Sequence, residues 1–76
     1  MVSKNNFSVG DRVKFTPASR NRPDGITYVD VGTVTQRDGQ ALTEPTYKIQ
    51  VHFPASGVRA ALTTAWLFES DFDRAP

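Results

Sequence analysis

The sequence predicts an all-β domain, a small closed barrel of about five short strands with one brief helical turn near residues 69–72. Three observations predict it. Tyr47, Ile49, Val51 and Phe53 alternate with Lys48, Gln50 and His52, the period-two pattern of a half-buried strand. Short runs rich in β-branched residues are separated by glycine, proline, asparagine and aspartate turn signals. No stretch keeps a 3.6-residue period over the ten or more positions that a stable helix needs. Closure follows as an expectation, because a barrel removes the exposed edges that a small open sheet would present.

Taken in chain order, residues 1–6 read as a polar arm, and residues 7–76 as one domain. After Val9, Gly10-Asp11 turns the chain into a first strand, in which Val13 and Phe15 face one way and Arg12 and Lys14 the other. Thr16 to Thr27 is a loop of about twelve residues holding Pro17, Pro23 and Gly25. Loops of that length in compact domains are often functional. A second strand is expected over Tyr28–Thr35, with Gly32 marking a bulge or a close backbone approach. Residues 36–46 read as a connecting loop, and Tyr47–Phe53 as the third strand, ended by Pro54. Val58–Leu67 supplies a further strand, with an irregularity near Thr63-Thr64 and with Arg59 facing solvent. Ser70 and the acids around it favour a short helical turn, with Phe72 folded back as a plug.

Composition bounds the function. With 76 residues, 38% of them hydrophobic, the chain suits one small globular domain. Nine Lys and Arg against eight Asp and Glu leave a formal charge of +1, which argues against a strongly cationic nucleic-acid binder. With no cysteine there is neither a disulfide nor a thiolate metal site. No apolar run is long enough to cross a bilayer, and the first residues lack the apolar stretch of a signal peptide. The expectation is a soluble cytoplasmic protein without a membrane role.

The order of motifs resembles SH3-like barrels. Val9-Gly10-Asp11-Arg12-Val13 looks like an opening GDxV strand, and Val31-Gly32-Thr33-Val34 like the xGxV of the next. Tyr47–Phe53 looks like the third strand, and Leu67-Phe68-Glu69-Ser70-Asp71-Phe72 is similar to the closing turn. Within that group, Tyr28, Val31–Val34 and Tyr47–Phe53 resemble the layout of photosystem I subunit IV, which implies protein docking without chemistry. Gly10-Asp11 and Gly32 resemble KOW and Tudor-type barrels, which implies nucleic-acid binding. Asp11-Arg12-Val13 and Phe72-Asp73-Arg74 are similar to the plasmid-type trimethoprim-resistant dihydrofolate reductases, which implies an oligomeric reductase. The Val-Gln-Ile-Tyr active-site signature of those reductases has no counterpart; Thr64-Ala65-Trp66-Leu67 stands nearest, and the activity is not carried over.

Few residues suggest catalysis. His52 is the single histidine and lies on the polar face of a strand, so a surface role is expected. Glu69, Asp71 and Asp73 offer paired carboxylates in principle, but a solvated acidic surface is the simpler expectation. No glycine-rich phosphate loop and no nucleophile beside a base is evident. A non-enzymatic protein without a cofactor or metal is expected.

The basic residues carry the functional reading. Arg12, Lys14, Arg20 and Arg22 fall in one segment that contains no acid, and Lys48 and Arg59 on neighbouring strands would enlarge the patch. Tyr28 adds a stacking surface at the end of the loop. Trp66 and Phe68 share one face of a strand and Leu67 the other. The two aromatics are expected in the core; if exposed, they would form a binding patch. The leading expectation is an interaction module that engages a protein partner through the Thr16–Thr27 loop, with Arg20 and Arg22 donating to acidic groups. The alternative is nucleic-acid binding through the same basic face.

Overall fold

The computed structural model describes residues 7–38 and 48–75. They form one six-stranded antiparallel sheet: β1 (Arg12–Phe15), β2 (Gly32–Arg37), β3 (Lys48–Phe53), β4 (Leu62–Thr63), β5 (Leu67–Phe68) and β6 (Phe72–Arg74). A 3-10 turn, Glu69–Asp71, joins β5 to β6. The expected arm over residues 1–6, most of the connecting loop over 36–46, and Tyr47 lie outside the described residues.

The sheet is not a closed barrel, which corrects the expected fold and the SH3-like resemblance that supported it. Its strand order is β4-β3-β2-β1-β6, with β5 also pairing β3, and no pairing joins the two ends among the described residues. The outer edge of β3 is shared by two very short strands. β4 takes its C-terminal end (His52↔Thr63, Phe53↔Leu62), and β5 its N-terminal end (Lys48↔Phe68, Ile49↔Leu67). Between them Thr64 plugs the gap. Its hydroxyl accepts from the Val51 N–H at 3.0 Å, and its own N–H donates to the Val51 carbonyl at 2.9 Å. Two-residue strands leave no length on which to carry the ladder round to β6.

The strands follow side-chain alternation. Val13, Phe15, Val34, Ile49, Val51, Phe53 and Phe72 point inward and join Phe7 and Ile26 in the core. The Phe15 ring stacks on Phe53 (centroids 5.7 Å apart) and tilts against Phe72 (4.5 Å). Gly32 also faces inward. A Cβ there would lie 2.5 Å from Val51 Cγ1 and 2.9 Å from the His52 carbonyl oxygen, so β2 and β3 approach too closely for any side chain. The register shifts between Val34 and Gln36, a bulge that adds twist.

Four local expectations need correction. β2 begins at Gly32, not Tyr28, because the Asp30 carboxylate accepts from the Thr27 N–H (2.8 Å) and hydroxyl (3.2 Å) and closes a turn. This side-chain bonding outweighs the β preference of Tyr28 and Val29. The strand expected over Val58–Leu67 starts only at Leu62, because Ser56 and Arg59 exchange two backbone hydrogen bonds around Gly57, at φ +57°, and the irregularity expected near Thr63-Thr64 is a full break between β4 and β5, where Thr64 bonds Val51. Trp66 and Phe68 are exposed rather than core. Leu67 pairs with Ile49, which faces the core, so Phe68 must face outward with Lys48. The three acids form no common solvated surface: Glu69 is buried, Asp71 holds the long loop and Asp73 lies opposite Lys14.

Two polar contacts tie the start of the described chain to its end. Glu69 Oε2 accepts from the Phe7 N–H (2.7 Å) and from Arg37 Nη1 (3.1 Å), while Arg37 also donates to the Phe7 carbonyl. Asp11 Oδ2 accepts from the Ser8 N–H (2.9 Å) and from Arg74 Nη1 (3.1 Å). The Ser8 backbone bond, followed by Arg74, lowers the Asp11 pKa below the ordinary aspartate value. A lowered folded-state pKa stabilises the fold above the unfolded-state value and ceases to do so as pH falls through the folded one. Asp11→Asn is therefore expected to lower the urea midpoint at pH 7, and the gap from wild type to narrow toward pH 3 or so. Equal gaps at both pH values would contradict that reading.

Candidate functional site

The long loop is fastened at three points. The Ser19 N–H donates to the Thr16 carbonyl (3.1 Å), closing its first turn. The two Asp71 carboxylate oxygens then accept from the Ser19 hydroxyl (3.0 Å) and from Asn21 Nδ2 (3.2 Å), binding this half of the loop to the 3-10 turn. Ile26, fully buried, pins the second half to the core. Gly25, at φ +89°, makes the intervening turn, which also carries the bond from the Ile26 N–H to the Pro23 carbonyl (3.2 Å).

Beyond that anchor the chain forms an outward tip. The Arg22 guanidinium lies over the Tyr28 ring, 4.4 Å from its centroid, and donates to the Tyr28 hydroxyl at 3.3 Å and to the Ile26 carbonyl. Arg59 reaches in from the Ser56–Arg59 turn. Its Nη2 stands 4.0 Å from Asp30 Oδ1, and its stem lies along Gly25. The half-buried Arg59 therefore does not face solvent as expected; it clamps two turns together. Val29 on one turn is 81% exposed, Val58 on the other is fully exposed, and Tyr28 is partly so. Arg20, on the same loop, is exposed.

The remaining expected site residues lie elsewhere. Arg12 and Lys14 project from the solvent face of β1, and Lys14 pairs with Asp73 across β6. Lys48 projects from that same face of the sheet on β3, with its ammonium 5.2 Å from the centroid of the Phe68 ring. Trp66 precedes Phe68, and each is about 40% exposed (43% and 41%). The expected basic patch is thus divided. Arg22 and Tyr28 meet at the loop tip and Arg59 reaches it from the 56–59 turn, whereas Arg20 lies on the half of the loop anchored to Asp71, and Arg12, Lys14 and Lys48 lie on the sheet face.

Sequence reasoning missed Val29 and Val58 as surface residues. The β preference of Val29 predicts strand, and only the Thr27-x-x-Asp30 spacing, a capping-box-like turn signal, points outward. For Val58 the signal was Ser56-Gly57 immediately before it. Among the described residues, no three His, Asp or Glu side chains come together as metal ligands. No helix among them is long and apolar enough to cross a membrane. Compared with known proteins, the chain matches no family model, no curated protein and no solved structure.

Proposed function

We propose that this chain is a non-enzymatic interaction module that docks a protein partner through the tip of its long loop and the adjoining 56–59 turn. One observation carries the reading: Tyr28, Val29 and Val58 are held outward on two turns that Arg59 and Asp30 clamp together. Exposing a fully solvated valine on a fixed turn gains the fold nothing, whereas a partner that covers it gains the apolar area. A tyrosine beside aliphatic side chains with arginine at the margin matches the composition of interface centres. Arg22 shapes the tip by fixing Tyr28, so Arg20 is the cation left to meet an acidic rim. The Arg59–Asp30 contact and the packing of the Arg59 stem on Gly25 hold the two turns side by side, which lowers the ordering cost of binding.

The Val29→Asp plus Val58→Asp double variant tests this. Both side chains are exposed, so the thermal midpoint is expected to stay within a few degrees of wild type. Immobilised wild type is expected to retain at least one protein about tenfold more strongly than the double variant does, measured by quantitative mass spectrometry of eluates. Identical retention by both proteins would overturn the reading.

A further inference from the structure

We propose a second binding surface, independent of the loop tip: the solvent face of the sheet is a platform for single-stranded nucleic acid. The strand register assembles it from residues far apart in sequence. Arg12 pairs with Thr33, Thr33 with His52, and His52 with Thr63, so four side chains form one polar row across β1, β2, β3 and β4. His52 Nδ1 and the Thr63 hydroxyl are 3.0 Å apart within that row. Gln36 and Gln50 pair alongside, and Lys48 faces Phe68 one step further along β3. Lys14 and Asp73 complete the face on β1 and β6. Alternation places the Val, Ile and Leu side chains of the strands on the opposite side.

This composition selects the ligand. A protein partner would bury its interface around apolar centres, and protein interface cores are depleted in lysine. Here the face offers three cations (Arg12, Lys14 and Lys48) against two carboxylates, Asp73 opposite Lys14 and Asp38 opposite Lys48, together with hydroxyl, amide and imidazole groups. Its one large apolar group is the exposed Phe68 ring, with exposed Trp66 two residues before it. An unpaired base stacks on such a ring, while cations alongside take the phosphates. A duplex hides its base faces, and among the described residues this face carries no helix or ribbon to enter a groove. Five strands at their normal spacing span roughly 19 Å, enough for about four nucleotides.

Fluorescence anisotropy with labelled octamers, dT8 and rU8, tests the proposal at 50 and 200 mM salt. Saturable binding of either octamer is expected. Neutralising about three phosphates predicts a salt slope near −2, or affinity about 15-fold weaker at the higher salt. Phe68→Ala is expected to weaken binding about tenfold, and Arg12→Ala about threefold with a shallower salt slope. The Val29→Asp plus Val58→Asp variant is expected to bind like wild type, so failure at the loop tip and failure here are distinguishable. No binding at 50 mM salt would overturn the proposal, as would equal binding of a duplex or of polyglutamate, or affinity unchanged by Phe68→Ala.

Discussion

Phe15→Ala is expected to cost about 4 kcal/mol, the largest effect of any single truncation in this chain. Phe15 sits on β1 with its ring between Phe53 of β3 and Phe72 of β6, so it joins the middle of the sheet to its last strand. Removing it takes away transfer energy and leaves a cavity walled by two phenylalanines, which strand pairing holds too rigidly to collapse. A domain of this length has a total stability of about 4–11 kcal/mol, so the variant stands at or near the unfolding threshold at 25 °C. Phe15→Leu keeps most of the volume and is expected to cost about 1–2 kcal/mol. Urea unfolding followed by Trp66 fluorescence reads both; a loss below 1 kcal/mol or so for the alanine variant would show that this ring is not central to the core.

Glu69→Ala is expected to cost about 3 kcal/mol. The carboxylate is buried, with a relative exposure of 6%, and a single oxygen receives both the Phe7 N–H and the Arg37 guanidinium. Without it the Phe7 N–H loses its acceptor, and the partly buried Arg37 side chain loses its 3.1 Å contact with the Glu69 carboxylate. The local signature distinguishes this from a general loss of packing: amide exchange at Phe7 should accelerate well before that of Val51 in β3. Glu69→Gln keeps an oxygen for Phe7 but not the charge, and is expected to cost about half as much. If Glu69→Ala costs no more than about 0.5 kcal/mol, the residue is behaving as solvated surface.

How far these features could be read in advance differed from residue to residue. The alternations Val13-Phe15 and Ile49-Val51-Phe53 were plain, because side-chain period alone determines which residues are buried in a half-covered strand. Gly32 announced a close approach, and the structure supplies it at Val51. Closure of the sheet was not legible, since it depends on how two-residue strands share the edge of β3. The placement of Trp66 and Phe68 likewise hangs on a register set by the Leu67–Ile49 pair, and a one-residue slip would exchange the faces. Glu69 looked like one acid of three because its partners, Phe7 and Arg37, lie 62 and 32 residues away. The basic patch dissolved for a related reason. Arg22 and Arg59 are consumed by the Ile26 carbonyl, Tyr28 and Asp30, partners that charge counting does not see.

The docking proposed at the loop tip requires Tyr28 and Val58 to meet a protein partner together. The most direct measurement places a photo-crosslinking phenylalanine analogue at position 28, where the tyrosine ring is partly exposed. Irradiation in cell extract is predicted to give a discrete adduct that Val58→Asp removes and that single-stranded oligonucleotide does not compete away. No adduct from position 28, or one that survives Val58→Asp unchanged, would contradict docking at the tip.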